Sequence, residues 1–237
     1  MYFKNIKNIV VDVDGSGTFD VLKNLTSRAK ISDELLNNSG YYETIEVVDG
    51  ERPDIMSKRL YNSEDFHWTF LLLNPQIKNI WDDWPMKYSQ LIEYCIEKYQ
   101  YLAADTDDDL NNKFILGETI QGQVSGALGK IKEIHVNMGY IVVEKTSGTF
   151  TITGETIYGV DSQDSVECKF IKSQAYAPHH HTDDSTGEWV PRRDAGTTPF
   201  TYIDYESAVT EQNRNIKIIK PQYVRRLARY FIRVMNS

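Results

Sequence analysis

The sequence predicts an α+β fold: a small mixed core, an inserted small antiparallel β domain (sheet or barrel), and extended N- and C-terminal arms, the last ending in a helix. Three observations carry this prediction. Apolar residues recur at helical spacing over about residues 85–103, then alternate as in strands between about residues 113 and 175. Gly117-Glu118-Thr119-Ile120-Gln121-Gly122 recurs as Gly154-Glu155-Thr156-Ile157-Tyr158-Gly159, five identities in six at an offset of 37. Charge is also uneven. Residues 211–237 carry seven basic side chains against one acid, so a +6 tail belongs to a chain of net charge −8 and the remainder is −14.

Taken in order, residues 5–13 read as a strand (Ile6, Ile9, Val10, Val11, Val13) ending at Gly15-Ser16-Gly17. Residues 22–38, polar with scattered apolar residues, read as arm or short helix and complete an N-terminal segment of residues 1–40. A second strand over 41–48 alternates and ends at the turn signal Asp49-Gly50. Pro53 suits the first turn of a helix running to Tyr61. Ser63 then caps a second helix, with Glu64 and Asp65 near its positive end and Asn74-Pro75 as its stop. Tyr88, Leu91, Ile92, Cys95, Ile96, Tyr99 and Leu102 place an amphipathic helix over about 85–103, which closes a first domain of residues 41–104. The acidic run Asp105, Asp107, Asp108, Asp109 marks a boundary. In the β-rich domain of 113–175, residues 131–136 and 140–145 flank the hairpin signal Asn137-Met138-Gly139. Residues 176–203, rich in His, Asp, Pro, Gly and Thr, read as an extended surface loop. Residues 204–237 form a helical C-terminal arm: a short helix at 205–213, a strand at 216–219 and a last helix at 221–235. That helix puts Val224, Leu227, Phe231 and Met235 on one face and Arg225, Arg229 and Arg233 on another.

The 237 residues allow one compact domain with additions, or two small ones, at roughly 100 to 200 residues each. The acidic total argues against general nucleic-acid binding. No apolar run approaches the roughly 18 residues of a membrane span, and the first residues lack the basic and apolar regions of a signal peptide. A cytosolic site of synthesis and no membrane partner follow as expectations. Cys95 and Cys168, the only cysteines, form no CxxC, so neither a disulfide framework nor a cysteine zinc site is expected.

Several constellations carry chemistry in principle. Asp12-Val13-Asp14-Gly15-Ser16 after a strand resembles the first motif of haloacid-dehalogenase-type phosphatases, where one Asp attacks phosphorus, the next works as acid and base, and Mg²⁺ bridges them. The same residues imitate an EF-hand loop, except that Lys23 stands where the bidentate Glu belongs. A plain Asp/Gly turn is the third reading. His179-His180-His181 with Asp183, Asp184 and Glu188 has metal-ligand chemistry, and an extended strand would point His179 and His181 the same way; the alternative is a solvated polar loop. Phe66, Trp68, Phe70, Trp81 and Trp84 fit either a sugar-stacking surface or a core. No GxSxG, HExxH or GxxxxGK[ST] occurs, so no catalytic residue and no cofactor is predicted.

Two stretches together resemble a known family. The first runs from Tyr41-Tyr42-Glu43-Thr44-Ile45 through Gly50-Glu51-Arg52-Pro53-Asp54-Ile55-Met56, Leu60-Tyr61-Asn62, Phe66-His67-Trp68 and Leu71-Leu72-Leu73-Asn74 to Trp84-Pro85-Met86. The second is Tyr205-Glu206-Ser207-Ala208-Val209 through Asn213-Arg214-Asn215-Ile216-Lys217-Ile218-Ile219-Lys220 with the terminal helix. In this order they resemble the baseplate wedge subunit of contractile-tailed (myovirus-type) bacteriophages that carries a LysM-like domain. The polar segment 25–31 resembles its arm. The resemblance covers a little under half the chain. It implies a LysM-like core and a structural virion protein of the tail baseplate, assembled in the host cytoplasm. It also implies contacts with other wedge proteins, the sheath-initiating subunit and the central hub or tube-initiating proteins. Trp68, Trp81, Trp84 and the face Val224, Leu227, Phe231, Met235 would be packing anchors, with Arg225, Arg229 and Arg233 as polar contacts. A usual LysM continues after its Asn with a Gly turn and a second strand, whereas Trp81-Asp82-Asp83-Trp84-Pro85 intervenes here. That departure favours protein docking over peptidoglycan binding, the second function the resemblance allows.

Overall fold

The computed structural model describes residues 7–23 and 40–236, with no side-chain description for Ile232 and residues 234–236. The expected arm segment 25–31 and the side chain of Met235 lie outside these. The chain is mixed helix and strand and divides into two compact units, residues 1–86 with 209–237, and residues 87–208.

The first unit begins with a hairpin. β1 (Asn8–Val11) pairs antiparallel with β2 (Asp20–Lys23), placing Val10 opposite Val21 and Ile9 opposite Leu22. β3 (Tyr42–Glu46) leads through a turn at Gly50, φ +72°, into α1 (Pro53–Tyr61). Pro53 occupies the first turn, where its missing N–H leaves no bond unmade, and Asn62 ends the helix in the left-handed region at φ 56°. The expected second helix is two pieces. A 3₁₀ turn (Glu64–Phe66), capped by Ser63 Oγ accepting from the Asp65 amide, precedes α2 (Trp68–Leu73). The second strand of the unit arrives from far along the chain: β13 (Asn215–Ile219) pairs antiparallel with β3, Ile216 opposite Ile45 and Ile218 opposite Glu43.

Three polar contacts fix that distant strand. Asn74 donates to the Phe70 carbonyl (2.7 Å) and the Lys217 carbonyl (2.8 Å), and accepts from the Lys217 amide (2.8 Å). Tyr61 Oη donates to the Ile219 carbonyl at 2.9 Å. The core gathers Met56, Phe70, Leu73, Ile77, Trp84, Ile216, Ile218 and Val224.

The second unit starts with α3 (Tyr88–Lys98), which is shorter than its periodicity implies. Residues expected to continue the helix instead form β4 (Leu102–Thr106), because a barrel recruits them between two other strands. β5 (Thr119–Gly122), β6 (Leu128–His135), β7 (Tyr140–Ser147), β8 (Glu155–Gly159) and β9 (Ser165–Ser173) complete a closed antiparallel barrel in the order β4-β7-β6-β5-β8-β9. Ile120, Ile131, Ile141, Ile157 and Val166 fill it. Gly139, φ +73°, makes the β6–β7 connection at the expected place. Of the acidic run, Asp105 lies within β4 and pairs with Arg193 at 3.4 Å, while Asp107, Asp108 and Asp109 follow the strand.

The segment expected as an extended loop is a three-stranded sheet. β10 (Pro178–Asp183) stands between β11 (Trp189–Val190) and β12 (Thr197–Thr201). Its turns take glycines at positive φ, Gly187 at 69° and Gly196 at 79°. The composition that reads as loop is therefore the composition of tight turns between very short strands. α4 (Tyr202–Arg214) precedes β13, and α5 (Pro221–Asn236) ends the described chain. Among the described residues no helix is long and apolar enough to cross a membrane.

Candidate functional site

The last helix sorts its residues as the 3.6 period requires. Val224 (1% exposed) and Phe231 (6%) are buried, Ala228 with them, and Leu227 is half-buried. Val224 and Leu227 join the main core of the first unit, and the Phe231 ring lies 4.7 Å from the Trp68 ring. The face expected to dock on a neighbouring subunit is thus packed within its own unit. An amphipathic helix cannot leave such a stripe in water when a complementary core lies beside it in the same chain.

The opposite face carries Arg225, Arg226, Arg229, Arg233 and Tyr230, all exposed. Among the described residues none of these arginines meets a carboxylate; Arg229 Nε donates to the Arg225 carbonyl at 3.3 Å. No acidic residue occurs in α5, so its like charges stand unrelieved at i, i+4 spacing.

Of the three tryptophans expected as anchors, Trp68 and Trp84 are interior, and Trp84 Nε1 donates to the Glu51 carbonyl at 2.7 Å. Trp81 is 83% exposed. Its loop is nonetheless well held. The Asp83 carboxylate accepts from the Lys78 and Asn79 amides at 2.8 Å each, the Trp81 amide donates to Asn79 Oδ1 at 3.0 Å, and Asn79 Nδ2 donates to Asp82. Asn213 Nδ2 ties the loop to α4 by donating to the Asp83 carbonyl at 2.9 Å. A large ring is therefore presented to solvent by a pre-ordered loop, which reduces the entropy cost of using it in binding. Phe66 is half-buried and Phe70 buried, so of the five aromatic residues weighed for sugar stacking only Trp81 offers an open face.

Asp12 and Asp14 lie in the β1–β2 loop and turn inward on it. The Asp12 carboxylate accepts from the Ser16 (3.1 Å) and Gly17 (2.9 Å) amides, and Asp14 accepts from Ser16 at 3.2 Å. The Ser16 side chain first, and then the Ser16 amide, hold the Asp14 carboxyl below its ordinary range. The strand before them pairs in a two-stranded antiparallel hairpin, whereas the phosphatase motif sits at the end of a parallel strand.

The three histidines do not alternate as an unbroken strand would. A register shift between Pro178 and His180 makes His179 a bulge residue, which brings His179 and His180 to one side, their Nδ1 atoms 2.9 Å apart. His179 stacks on Tyr205 at 4.2 Å, and His180 packs on Phe200 and Trp189. His181 is 3% exposed, and its Nδ1 has no hydrogen-bond partner among the described residues. Burial lowers its pKa, and the nearby Arg193 adds to the effect. Among the described residues no three His, Cys, Asp or Glu side chains form a group able to hold a metal ion.

The repeat proves to be a reciprocal clasp, a role the sequence reading missed. β5 and β8 pair antiparallel, Gly122 opposite Ile157 and Ile120 opposite Gly159. Glu118 (3% exposed) reaches the loop after β8, accepting from the Asp161 amide (3.2 Å) and from the Ser162 amide and hydroxyl (3.0 Å each). Glu155 (0% exposed) reaches the loop after β5, accepting from the Val124 amide at 2.8 Å and the Ser125 amide at 3.4 Å, with the Thr151 amide and hydroxyl on its other oxygen. Burial alone would raise the Glu155 pKa, but the Ser125, Thr151 and Val124 bonds outweigh it and bring it down to about 2. The signal was legible: the repeat extends to Gly-Glu-Thr-Ile-x-Gly-x-x-Ser, with Ser125 and Ser162 in register.

No protein-family model matches the chain, and no curated protein matches it.

Proposed function

We propose that the chain is a structural component of a phage tail baseplate wedge, joining wedge proteins to each other and to the inner baseplate through protein–protein contacts, with no catalysis of its own. The observation that carries this reading is the first unit's strand-helix-helix-strand order, whose second strand comes from residues 215–219 after the whole second unit. This order supports the LysM-like reading, because a second strand for the unit's sheet is supplied later in the chain. The unit's remaining recognition groups suit protein surfaces. Trp81 stands on a held loop, and an arginine row stands on a helix whose apolar face is already buried. Interfaces draw on Trp, Tyr and Arg in this way. Of the other aromatic rings weighed for a glycan, Trp68, Phe70 and Trp84 are buried and Phe66 is half-buried.

The partners under this reading are other wedge proteins, the sheath-initiating subunit and the hub or tube-initiating proteins, and the location is the virion tail baseplate, assembled in the host cytoplasm. The test is complementation. Trp81→Ala should leave the thermal melt unchanged and cut incorporation into tails severalfold. Unimpaired incorporation, together with saturable binding of the chain to purified peptidoglycan, would replace this reading with the glycan-binding one.

A further inference from the structure

Four of the chain's ten arginines and none of its sixteen lysines lie on α5, a helix without a single acid. Lysine would serve for solubility; arginine, with its planar fork, is the residue that recognises carboxylates bidentately. Arg225, Arg229 and Arg233 follow one another at intervals of four, forming a row with a repeat of about 6 Å along the helix, with Arg226 beside it and Tyr230 exposed next to it. The row is unrelieved by any carboxylate among the described residues, so it raises the free energy of the unbound helix. An anionic partner would remove that cost on binding.

We infer that this face of α5 is a docking surface for an acidic α-helix of a partner protein, one carrying Glu or Asp at i, i+4 and i+8. The inference deepens the assembly reading, on which it rests, by stating the chemistry of one partner. Charge complementarity and matched repeat select the occupant: a helix with acids at that spacing presents carboxylates at the same interval of about 6 Å, so each guanidinium can pair in turn. A nucleic acid also offers spaced anions. However, the residues outside α5 carry a net charge of −12, and that charge repels a long polyanion. A short acidic helix stays within the local cationic field.

The test uses the full chain and synthetic helical peptides. One carries Glu at i, i+4 and i+8; another has the same composition with the acids dispersed around the helix. Double-stranded DNA and phosphatidylserine vesicles are the other probes. Anisotropy titrations should show the aligned peptide binding at least tenfold more tightly than the dispersed one, weakening as salt rises. Arg229→Glu should abolish that preference with its circular dichroism unchanged. Equal affinity for the two peptides, or tighter binding to DNA or vesicles, would overturn the inference. Because the comparison of peptides is made in vitro on the unaltered chain, its failure leaves the tail-incorporation test of the assembly reading standing.

Discussion

Glu118, just before β5, and Glu155, at the start of β8, are buried, and loop amides keep them ionised there. Removing such an acceptor strands its donors. Glu155→Ala should therefore cost about 2–4 kcal/mol in chemical denaturation of the second unit. The same carboxylate makes stability pH-dependent. Its folded pKa of about 2 lies below its ordinary value of 4.5, so its contribution is full above about pH 4.5 and is lost as pH falls toward 2. His181, lowered from 6.5 by burial, acts in the same direction from a higher starting point: protonation favours the unfolded chain once pH drops below 6.5. A pH series of melts should show a shallow loss first and a steeper one below pH 4.5, with the steep part weakened in Glu155→Gln. Gly122 is equally constrained, since a Cβ there would lie 2.5 Å from Ser125 Oγ and 2.9 Å from the Glu155 carboxyl carbon. Gly122→Ala should destabilise by about 1–3 kcal/mol through overpacking. In the first unit Asn74 is the counterpart: its side chain replaces missing backbone partners at the end of α2 and along β13, and Asn74→Ala should cost about 1–3 kcal/mol.

Among the elements, α5 separates packing from display. Phe231→Ala removes the ring against Trp68 and should cost about 3–5 kcal/mol, whereas Arg229→Gln on the exposed face should change stability by under about 0.5 kcal/mol. The two melts, measured side by side, check the assignment of faces. How far each element was legible in the sequence depended on whether its determinants were local. Pro53 and Asn62 bracket α1 within ten residues, and the expected bounds are those observed. Asn137-Met138-Gly139 placed the β6–β7 hairpin for the same reason. The helix expected over 85–103 overran because Tyr99 and Leu102 keep the helical spacing, while the pairing of Leu102 with Val143 and Ser173 that makes a strand of them is remote in sequence. β11 and β12 were hidden among turn residues, and the His179 bulge cannot be read from alternation. The arginine row was visible from spacing alone, but the burial of Val224 and Phe231 against their own unit needed the partner surface that only the fold supplies.

At the scale of the whole molecule, the chain interrupts one compact unit with another: residues 87–208 are inserted between α2 and the strand that completes its sheet. The charge asymmetry that opened the sequence analysis maps onto this arrangement. Much of the +6 tail is the exposed face of α5, while Arg214 serves the first unit itself, bridging Glu211 at 2.8 Å and reaching Asp49 at 3.7 Å. Under the proposed baseplate role, the exposed cationic face of this element is the surface offered to a partner protein. The most direct test is quantitative mass spectrometry of purified contractile tails from the source that produces this chain. The account predicts the chain at a fixed ratio to the other wedge proteins, in multiples matching six-fold symmetry. Its absence from tails that contain every other wedge protein would contradict the account.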